Sequence, residues 1–221
     1  KLEEEMARSK RYSSPLTMII ADLDYFKKFN DTHGHLLGDK VLKDIAVILT
    51  DSVRETDIVA RYGGEELAIL LPETPLEAAC EVAERIRKNV ANYKFTGKDQ
   101  KQVSLSMSIG VSCLDEEPEL ESSELIIRTD TALYRAKHQG RNQICKSVLD
   151  KGRLIIETYS RGVSPQEEQG LDSSHLSPEL LQSWTDQLDR HLAELEHKLQ
   201  SKIQEAQLGA ALTNFFEKRI L

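Results

Sequence analysis

The chain has 221 residues, of which 39% are hydrophobic and 30% are charged. This length fits one domain of ordinary size with an extension, or two small domains, and the apolar content is sufficient for a buried core. Acidic side chains outnumber basic ones by 37 to 29, which gives a formal net charge of −8. Proteins that bind a phosphate backbone need a cationic surface, so nucleic acid is excluded as an expected partner.

The cysteines and the hydropathy indicate the compartment. Cys80, Cys113 and Cys145 are odd in number and far apart, which argues against a disulfide framework and favours a reducing cytoplasm. No stretch approaches the roughly 18 apolar residues of a membrane span, and the first residues, KLEEEMARSK, do not form a signal peptide. We therefore expect a cytoplasmic protein with no membrane segment in this chain. Because residue 1 is not methionine, we expect that this sequence is part of a longer natural chain. An N-terminal region that precedes it could attach the protein to a membrane.

The first strong element is PLTMIIADLD, residues 15–24. A short apolar run that ends in two aspartates is typical of a buried strand with carboxylates at its C-terminal end. The second of these aspartates, Asp24, is predicted to cap the helix that follows. Apolar positions three and four residues apart then predict one amphipathic helix that starts near Leu37 and closes before Arg54.

A β-hairpin is predicted around RYGGEEL, residues 61–67, because apolar runs flank its two glycines. The tight turn is expected to need φ > 0 at Gly63 and Gly64, which only glycine adopts without steric cost. Glu65 and Glu66 follow directly. Adjacent carboxylates repel each other, so they either face water on an edge strand or hold a cation, and the hairpin alone leaves both interpretations open.

The remaining elements complete an alternating order of strands and helices. Thr74 and Glu77 form a capping box that opens a helix, and residues 103–113 alternate apolar and small side chains, which predicts a strand. A helix over residues 123–139 stops at Gly140, and a last strand follows. The order strand, helix, hairpin, helix, strand, helix, strand predicts an α/β (α+β) fold, a ferredoxin-like sandwich with a central antiparallel sheet and an extra hairpin or edge strand.

Three separated motifs, DLDYFKKFNDTHGHLLGD, RYGGEEL and ALYRAKHQGRN, occur in this order along the chain. Together they resemble the GGDEF family, the diguanylate cyclases, over about residues 10–147, and three motifs in order are far more specific than any one. The resemblance implies a palm-like fold shared with other nucleotide cyclases, and an enzyme that joins two GTP molecules into cyclic di-GMP with release of pyrophosphate. The family signature usually ends in Phe. This chain has Leu67 there, which we expect to keep the apolar contact in the core without loss of activity.

The resemblance also implies which residues carry the reaction. Attack of a ribose 3′-hydroxyl on an α-phosphate is assisted by two metal ions, and Mg²⁺, or Mn²⁺ in its place, prefers hard oxygen ligands. The implied metal ligands, for two ions per active site, are Asp22, the backbone carbonyl of Leu23, Glu65 and Glu66. The implied catalytic residues are Glu65, Glu66 and Lys27, and Glu66 either completes the second metal site or helps to deprotonate the hydroxyl.

The GTP substrate is implied to contact a phosphate-binding group and a base-reading group. Cations at the triphosphate oppose the charge on the leaving pyrophosphate, and a carboxylate that accepts from guanine rejects adenine. The triphosphate positions are Lys27, Lys137 and Arg141, and the guanine positions are Asn30 and Asp39. The full implied substrate-binding set is Phe26, Lys27, Asn30, Asp39, Gly63, Gly64, Lys137 and Arg141. Taken singly, these residues also fit a solvated helix face, helix-terminal charges or loop caps. Their joint occurrence favours the site.

RETD, residues 54–57, matches the family's RxxD inhibitory site for the cyclic product. The implied residues are Arg54, Asp57 and Arg85, and guanidinium groups suit this task because they bind phosphates and purine edges in a bidentate, planar way. A surface ion pair between Arg54 and Asp57 is the other interpretation. With Arg85 also present, we expect feedback inhibition by cyclic di-GMP.

The predicted organisation has four segments. Residues 1–13 resemble the end of an upstream signalling helix, and residues 14–147 form the GGDEF domain. Residues 148–176 form a polar linker, and residues 177–221 form a helical extension whose leucine seam is typical of a coiled coil. The extension either mediates dimerisation or binding of a protein partner, or it packs back on its own domain. The leucine seam is compatible with both interpretations. Because one domain of this family holds one GTP, the resemblance implies a homodimer as the working unit.

An alternative function of a different class is a degenerate domain that binds GTP or cyclic di-GMP and acts through protein contacts. The intact residues Asp22, Lys27, Glu65, Glu66 and Lys137 argue against degeneracy. We therefore expect an active diguanylate cyclase.

Overall fold

The computed structural model describes residues 1–96, 102–114, 120–150 and 153–160 of the chain. All of them lie within one structural unit, Lys1–Gly162. The predicted helical extension, residues 177–221, lies outside the described residues, as does the predicted linker from residue 161 onward.

Strands and helices alternate along the described residues. The strands are β1 Leu16–Leu23, β2 Ile58–Arg61, β3 Glu66–Pro72, β4 Phe95–Thr96, β5 Gln102–Val103, β6 Met107–Leu114, β7 Ile144–Asp150 and β8 Arg153–Thr158. The helices are α1 Leu2–Tyr12, α2 Phe26–His33, α3 His35–Asp51, α4 Leu76–Asn92 and α5 Ser122–His138. Within these described segments, no helix combines the length and the apolar character that crossing a bilayer requires.

Six strands form one sheet in the order β2-β3-β1-β6-β7-β8, and β4 pairs with β5 separately. β1 lies inside the sheet, antiparallel to both β3 and β6, and all eight of its residues are buried. A strand that is covered on both faces reads as a continuous apolar run, as this one does. β6 and β7 form a parallel pair in an otherwise antiparallel sheet. The predicted α/β sandwich with a central, largely antiparallel sheet is confirmed.

Alternate residues of β1 pack into two hydrophobic clusters. Ile19 and Ala21 pack with residues of α3 and α4, whereas Met18 and Ile20 pack with residues of α1 and α5. Alternation of this kind follows from the two-residue period of a strand. Asp22 continues the second series, so its carboxylate is placed on the side of the sheet that α5 covers.

The helix predicted to start near Leu37 is α3, and the helix predicted to follow Asp24 is α2. They meet at Gly34, whose φ of +88° lies in the left-handed region that glycine adopts at low cost. α2 buries only Phe26 and Phe29 among charged and polar neighbours. Its apolar face is therefore short, and the sequence indicates this helix mainly by its position after Asp24.

The capping-box prediction for α4 was wrong. The N-cap of α4 is Pro75, and no side chain caps this helix. The buried Thr74 hydroxyl instead donates to the Pro72 carbonyl at 2.9 Å, and the Thr74 carbonyl accepts from the Thr17 hydroxyl at 2.6 Å. The Thr74 hydroxyl thus pairs within the turn after β3 and its carbonyl pairs with β1, because buried polar groups need hydrogen-bond partners.

The sheet extends beyond the predicted domain end at residue 147. β7 continues to Asp150, and β8 pairs with it from Cys145↔Thr158 to Asp150↔Arg153. The predicted linker, residues 148–176, therefore begins too early. The β8 segment RLIIET places charged residues beside apolar ones, as a partly solvated edge strand does. This composition is difficult to distinguish from that of a polar linker.

Candidate active site

Acidic side chains lie near one another where β1 ends and β3 begins. Asp22 and Glu66 are direct cross-strand partners in the antiparallel pairing of β1 with β3. Side chains of directly opposed residues extend from the same face of a sheet and lie close together. Asp22 is buried, and Glu65 and Glu66 are half-buried at the hairpin. The structure therefore brings the predicted metal-ligand carboxylates to one place.

Burial and neighbouring negative charge raise the pKa of Asp22 to about 6. Burial is the largest cause, the charges of Glu65 and Glu66 act in the same direction, and Lys137 opposes them. The Lys137 ammonium lies 2.9 Å from an Asp22 carboxylate oxygen. A buried carboxylate with a raised pKa beside a lysine is typical of a functional site, although structural ion pairs also shift pKa values.

The donor set of this cluster fits a divalent cation. Carboxylate oxygens, together with the backbone carbonyl of Leu23 at the end of β1, are the hard ligands that Mg²⁺ and Mn²⁺ prefer. In the described residues, no three or more His, Cys, Asp or Glu side chains are already arranged around a metal position. Lys137 supplies the counter-charge to Asp22 in this conformation. The chemistry of these oxygen atoms therefore fits a divalent cation. In this conformation the Asp22 carboxylate is paired with Lys137 instead.

Replacing Asp22 with asparagine is expected to stabilise the metal-free protein at pH 8. The folded pKa of about 6 exceeds the ordinary value of 3.8, so the folded state binds the proton more tightly than the unfolded state does. The contribution of this carboxyl to stability is therefore largest below pH 3.8 and is lost as the pH rises through 6. We expect Asp22→Asn to raise Tm by about 3 °C at pH 8 in EDTA, and by less at pH 4.5. Thermal unfolding followed by circular dichroism measures this, and a lower Tm at pH 8 would contradict it.

The two glycines of the hairpin are not needed for their backbone conformation. Neither Gly63 nor Gly64 has φ in the left-handed region, so that expectation was wrong. The loop closes through hydrogen bonds from the Tyr62 and Gly63 N–H groups to the Glu66 carbonyl, at 2.8 and 3.1 Å. A Cβ on Gly63 would lie 2.6 Å from a Glu66 carboxylate oxygen, whereas one on Gly64 would meet no atom within 4 Å. Gly63 therefore makes room for the Glu66 side chain, and Gly64 borders open space.

The predicted guanine-reading residues lie where α2 meets α3. A Cβ on the buried Gly38 would lie 1.9 Å from Asn30 Oδ1 and 3.2 Å from the Phe26 ring. The glycine thus lets α3 approach Asn30, and Asp39, the next residue of α3, is exposed. Asn30 Oδ1 is a buried oxygen with no hydrogen-bond partner. Burying an acceptor in this way destabilises the folded state unless a ligand or a water molecule donates a hydrogen bond to it.

Of the three predicted triphosphate residues, Lys137 lies in the last turn of α5 and Arg141 lies in the turn after it. Lys137 pairs with Asp22, and the Arg141 guanidinium lies 4.4 Å from the centre of the Tyr25 ring. Arg141 also donates to the Tyr25 hydroxyl at 3.2 Å. Lys27 is exposed in the first turn of α2. The ion pair with Asp22 gives Lys137 a role at the site in addition to complementing the helix dipole, and Tyr25 was not predicted to take part.

Asp24 does not cap α2, so that prediction was wrong. The carboxylate is buried and accepts hydrogen bonds from the hydroxyls of Ser106 and Ser108, both at 2.6 Å, and from the Asn142 N–H at 3.1 Å. The N-cap of α2 is Tyr25, without a side-chain cap. Asp24 therefore ties the end of β1 to the start of β6 and to the turn after α5. These partners are far from Asp24 in sequence. The only signal for them was the row of small polar residues in the segment that forms β6.

Arg54 and Asp57 of the predicted inhibitory site lie beyond the C-terminal end of α3, and Arg85 of α4 contacts the residue that ends this helix. One Asp57 oxygen accepts from the Arg54 backbone N–H at 2.7 Å, and the other is buried without a partner. The Arg85 guanidinium reaches over from α4 and donates to the Ser52 carbonyl at 2.7 and 3.2 Å. The Asp57 carboxylate thus contacts the backbone of Arg54, and the Arg54 side chain is exposed.

Leu67, the departure from the family signature, is buried in the cluster shared with α3 and α4. This burial agrees with the expected core contact. The neighbouring Glu66 keeps its place opposite Asp22.

A family model described as "Diguanylate cyclase, GGDEF domain" matches residues 1–143. Diguanylate cyclase DgcP of Pseudomonas aeruginosa is 42% identical over 145 residues, which cover 65% of this chain and 21% of that protein. The chain thus spans about a fifth of the length of this curated relative.

Solved structures show the same fold. The active GGEEF domain of a diguanylate cyclase from Vibrio cholerae has a TM-score of 0.62 and 35% identity, over 66% of this chain and 92% of that one. The GGDEF domain of DgcB from Caulobacter crescentus, solved in complex with c-di-GMP, has a TM-score of 0.62 and 28% identity, over 66% and 85% of the two chains.

Proposed function

This chain belongs to the GGDEF-domain family of diguanylate cyclases, and from that membership we propose that it condenses two molecules of GTP into cyclic di-GMP. The observation that carries the proposal is the meeting of Asp22, Glu65 and Glu66 beside Lys137. In each half-reaction a ribose 3′-oxygen forms a bond to the α-phosphorus of the other GTP, and the bond to the β-phosphate oxygen breaks, so pyrophosphate leaves.

The residues proposed to hold the metal ions are Asp22, the Leu23 carbonyl, Glu65 and Glu66. When bound, two Mg²⁺ or Mn²⁺ ions per site neutralise phosphate charge and lower the pKa of the 3′-hydroxyl. Glu66 lies opposite Asp22 with its carboxylate turned back toward Gly63, which suits it to bind a cation or to accept the hydroxyl proton. In this proposal the chain therefore supplies both the ligands and a proton acceptor.

Three basic residues are proposed to act on the triphosphate. The ion pair of Lys137 with Asp22 and the stacking of Arg141 on Tyr25 support this proposal for two of them, and Lys27 is exposed in the first turn of α2. Preorganised cations stabilise charge that develops on a leaving group more than they stabilise the ground state. The pairing of Lys137 with Asp22 implies that this lysine exchanges one partner for another when nucleotide binds.

Asn30 and Asp39 are proposed to select guanine. Guanine carries N–H donors at N1 and N2 on the edge where adenine lacks that pattern, so acceptor oxygens discriminate between the two bases. The unpartnered Asn30 Oδ1 at the junction of α2 and α3 supports this proposal. Phe26, packed beside Asn30 and Gly38, completes the wall of the proposed base site.

A homodimer is proposed as the working unit, because one domain holds one GTP and the product joins two. Helix α1 is proposed as the end of an upstream signalling helix that controls how two domains meet. A protein partner for residues 177–221 is part of the same proposal.

Substrate specificity tests this function. The purified chain is incubated with Mg²⁺ and either GTP or ATP, and the nucleotides are resolved by chromatography. We expect cyclic di-GMP and pyrophosphate from GTP, no cyclic dinucleotide from ATP, and loss of both products in EDTA. Equal turnover of ATP would overturn the guanine assignment, and product formation in EDTA would overturn the metal assignment.

Product feedback is expected to depend on Arg54 and Asp57. Guanidinium and carboxylate groups can bind the phosphates and the guanine edge of cyclic di-GMP, and the unpartnered Asp57 oxygen supports a ligand there. In Arg54→Ala and Asp57→Ala, inhibition by added cyclic di-GMP should be weaker by about tenfold or more, the effect of losing one charge-assisted contact. The measurement is the ratio of initial rates with and without added product. An unchanged ratio in both variants would show that Arg54 and Asp57 do not form an inhibitory site.

A further inference from the structure

The turn after α5 has an unusual backbone. Gly140, Arg141 and Asn142 follow one another with φ values of +118°, +63° and +47°. Left-handed conformations are uncommon for residues other than glycine, and asparagine tolerates them better than arginine does. The turn that carries Arg141 therefore depends on contacts from outside itself.

Asn142 provides those contacts on two sides. From α4, Arg87 Nη1 donates to the Asn142 backbone carbonyl at 3.1 Å and to its side-chain oxygen at 2.7 Å. From the end of β1, the buried Asp24 carboxylate accepts from the Asn142 backbone N–H at 3.1 Å. The backbone N–H, the backbone carbonyl and the side-chain oxygen of Asn142 are thus all held.

Arg87 is itself oriented by a second carboxylate. Its Nε and Nη2 donate to the two oxygens of Glu84, at 2.7 and 2.8 Å. Both side chains are largely buried, with 18% of Arg87 and 15% of Glu84 exposed. A bidentate pair fixes the plane of the guanidinium, so the remaining nitrogen points in a defined direction. That nitrogen is the one that binds Asn142.

Arg141 is next to the held residue. Its guanidinium lies over the Tyr25 ring, and Tyr25 follows Asp24 directly with a left-handed φ of +58°. The hydrogen bond between Asp24 and Asn142 therefore joins the residue before Tyr25 to the residue after Arg141. Both members of the stacked pair are placed by the same connection.

We propose that Arg87 and Asp24 are positioning residues, which hold Asn142 and thereby fix Arg141 where it meets the triphosphate of GTP. This inference rests on the proposed function, in which Arg141 binds that triphosphate. A rigid turn places the guanidinium before substrate arrives, so less conformational freedom is lost on binding. The competing explanation is that Arg87 only joins α4 to the turn and stabilises the fold.

A double-mutant cycle distinguishes the two explanations. The full chain is prepared as wild type, Arg87→Gln, Arg141→Ala and the double variant, and binding of a non-hydrolysable GTP analogue and of GMP is measured with Mg²⁺. Arg87→Gln should weaken binding of the analogue about tenfold, the usual scale of a lost charge-assisted contact, and leave GMP within about twofold. The double variant should bind the analogue no more weakly than Arg141→Ala, because both changes remove one interaction.

Lys88→Gln is the matched control. Lys88 also pairs with Glu84, at 3.1 Å, but its side chain is 51% exposed. Its removal should leave binding of the analogue within about twofold, since exposed pairs contribute little. Arg87→Lys, which keeps one donor near Asn142, should lose less affinity than Arg87→Gln and serves where the glutamine variant does not fold.

Three other outcomes would contradict the proposed positioning role of Arg87. Equal weakening of the analogue and GMP, or additive losses in the double variant, would show that Arg87 acts through the fold and would overturn the positioning role. If Arg141→Ala weakens binding and neither Arg87 variant does, the positioning role alone fails. If Arg141→Ala has no effect, the assignment of Arg141 to the triphosphate fails first, and the inference fails with it.

Discussion

Glu66→Gln is expected to lower the initial rate of cyclic di-GMP synthesis by at least about 1,000-fold, the scale of losing a general base or a metal ligand. Glu66 lies opposite Asp22 in the strand pairing, and its carboxylate occupies space that Gly63 leaves free. Glutamine has nearly the same shape, so the hairpin should remain intact. An amide neither accepts the hydroxyl proton effectively nor offers a charged oxygen to a metal ion. The loss should therefore fall on the chemical step.

The control for this prediction is Glu81→Gln, on the exposed face of α4. It removes one negative charge without touching the carboxylate cluster, so we expect a rate within about twofold of wild type, as for most surface substitutions. Binding of GTP by Glu66→Gln, measured by isothermal titration, should remain detectable because the base and triphosphate residues are unchanged. A Glu66→Gln rate within tenfold of wild type would refute the assigned role.

Gly110→Ala is expected to have the largest effect on stability. Gly110 lies in β6, between β1 and β7, where α5 crosses the sheet. A Cβ there would lie 2.1 Å from the Thr129 carbonyl oxygen and 2.4 Å from the Leu133 nitrogen. Both are backbone atoms of α5, so no side chain can turn aside to relieve the clash. The helix must move away from the sheet, and closely packed interiors resist such a shift.

We expect Gly110→Ala to destabilise the domain by about 3 kcal/mol or more, which lowers Tm by roughly 10 °C for a chain of this size. The matched control is Gly64→Ala, since a Cβ at Gly64 meets nothing within 4 Å and the residue is not left-handed. Its Tm should change by no more than about 2 °C, as at an ordinary surface site. Thermal unfolding of both variants gives the comparison. Equal shifts would mean that α5 does not pack on Gly110 as closely as described.

Much of the fold and of the candidate site could be predicted because the signals are local. PLTMIIADLD shows a fully buried strand by its unbroken apolar run, and the strand ends where the first carboxylate appears. The hairpin of β2 and β3 follows from apolar runs around two glycines. Once these two elements are adjacent, Asp22 and Glu66 must lie near one another, as the register of the strands shows.

The remaining features depend on partners that are distant in sequence. The carboxylate of Asp24 could have served as a helix cap, and only the fold brings Ser106 and Asn142 to it. Gly63 leaves room for the Glu66 carboxylate rather than serving a turn type, and Gly110 is required by the backbone of a helix from another part of the chain. Local propensity cannot report such requirements, because they arise only when elements pack.

The initial rate of cyclic di-GMP formation, measured at a series of concentrations of the purified chain with saturating GTP and Mg²⁺, tests the central claim most directly. If two domains, each holding one GTP, form the reacting unit, the rate per molecule should rise with protein concentration and then level off as dimers predominate. Glu66→Gln should give no product at any of these concentrations. Absence of product from the wild type, with GTP or cyclic di-GMP still bound, would contradict the cyclase and indicate a nucleotide receptor instead.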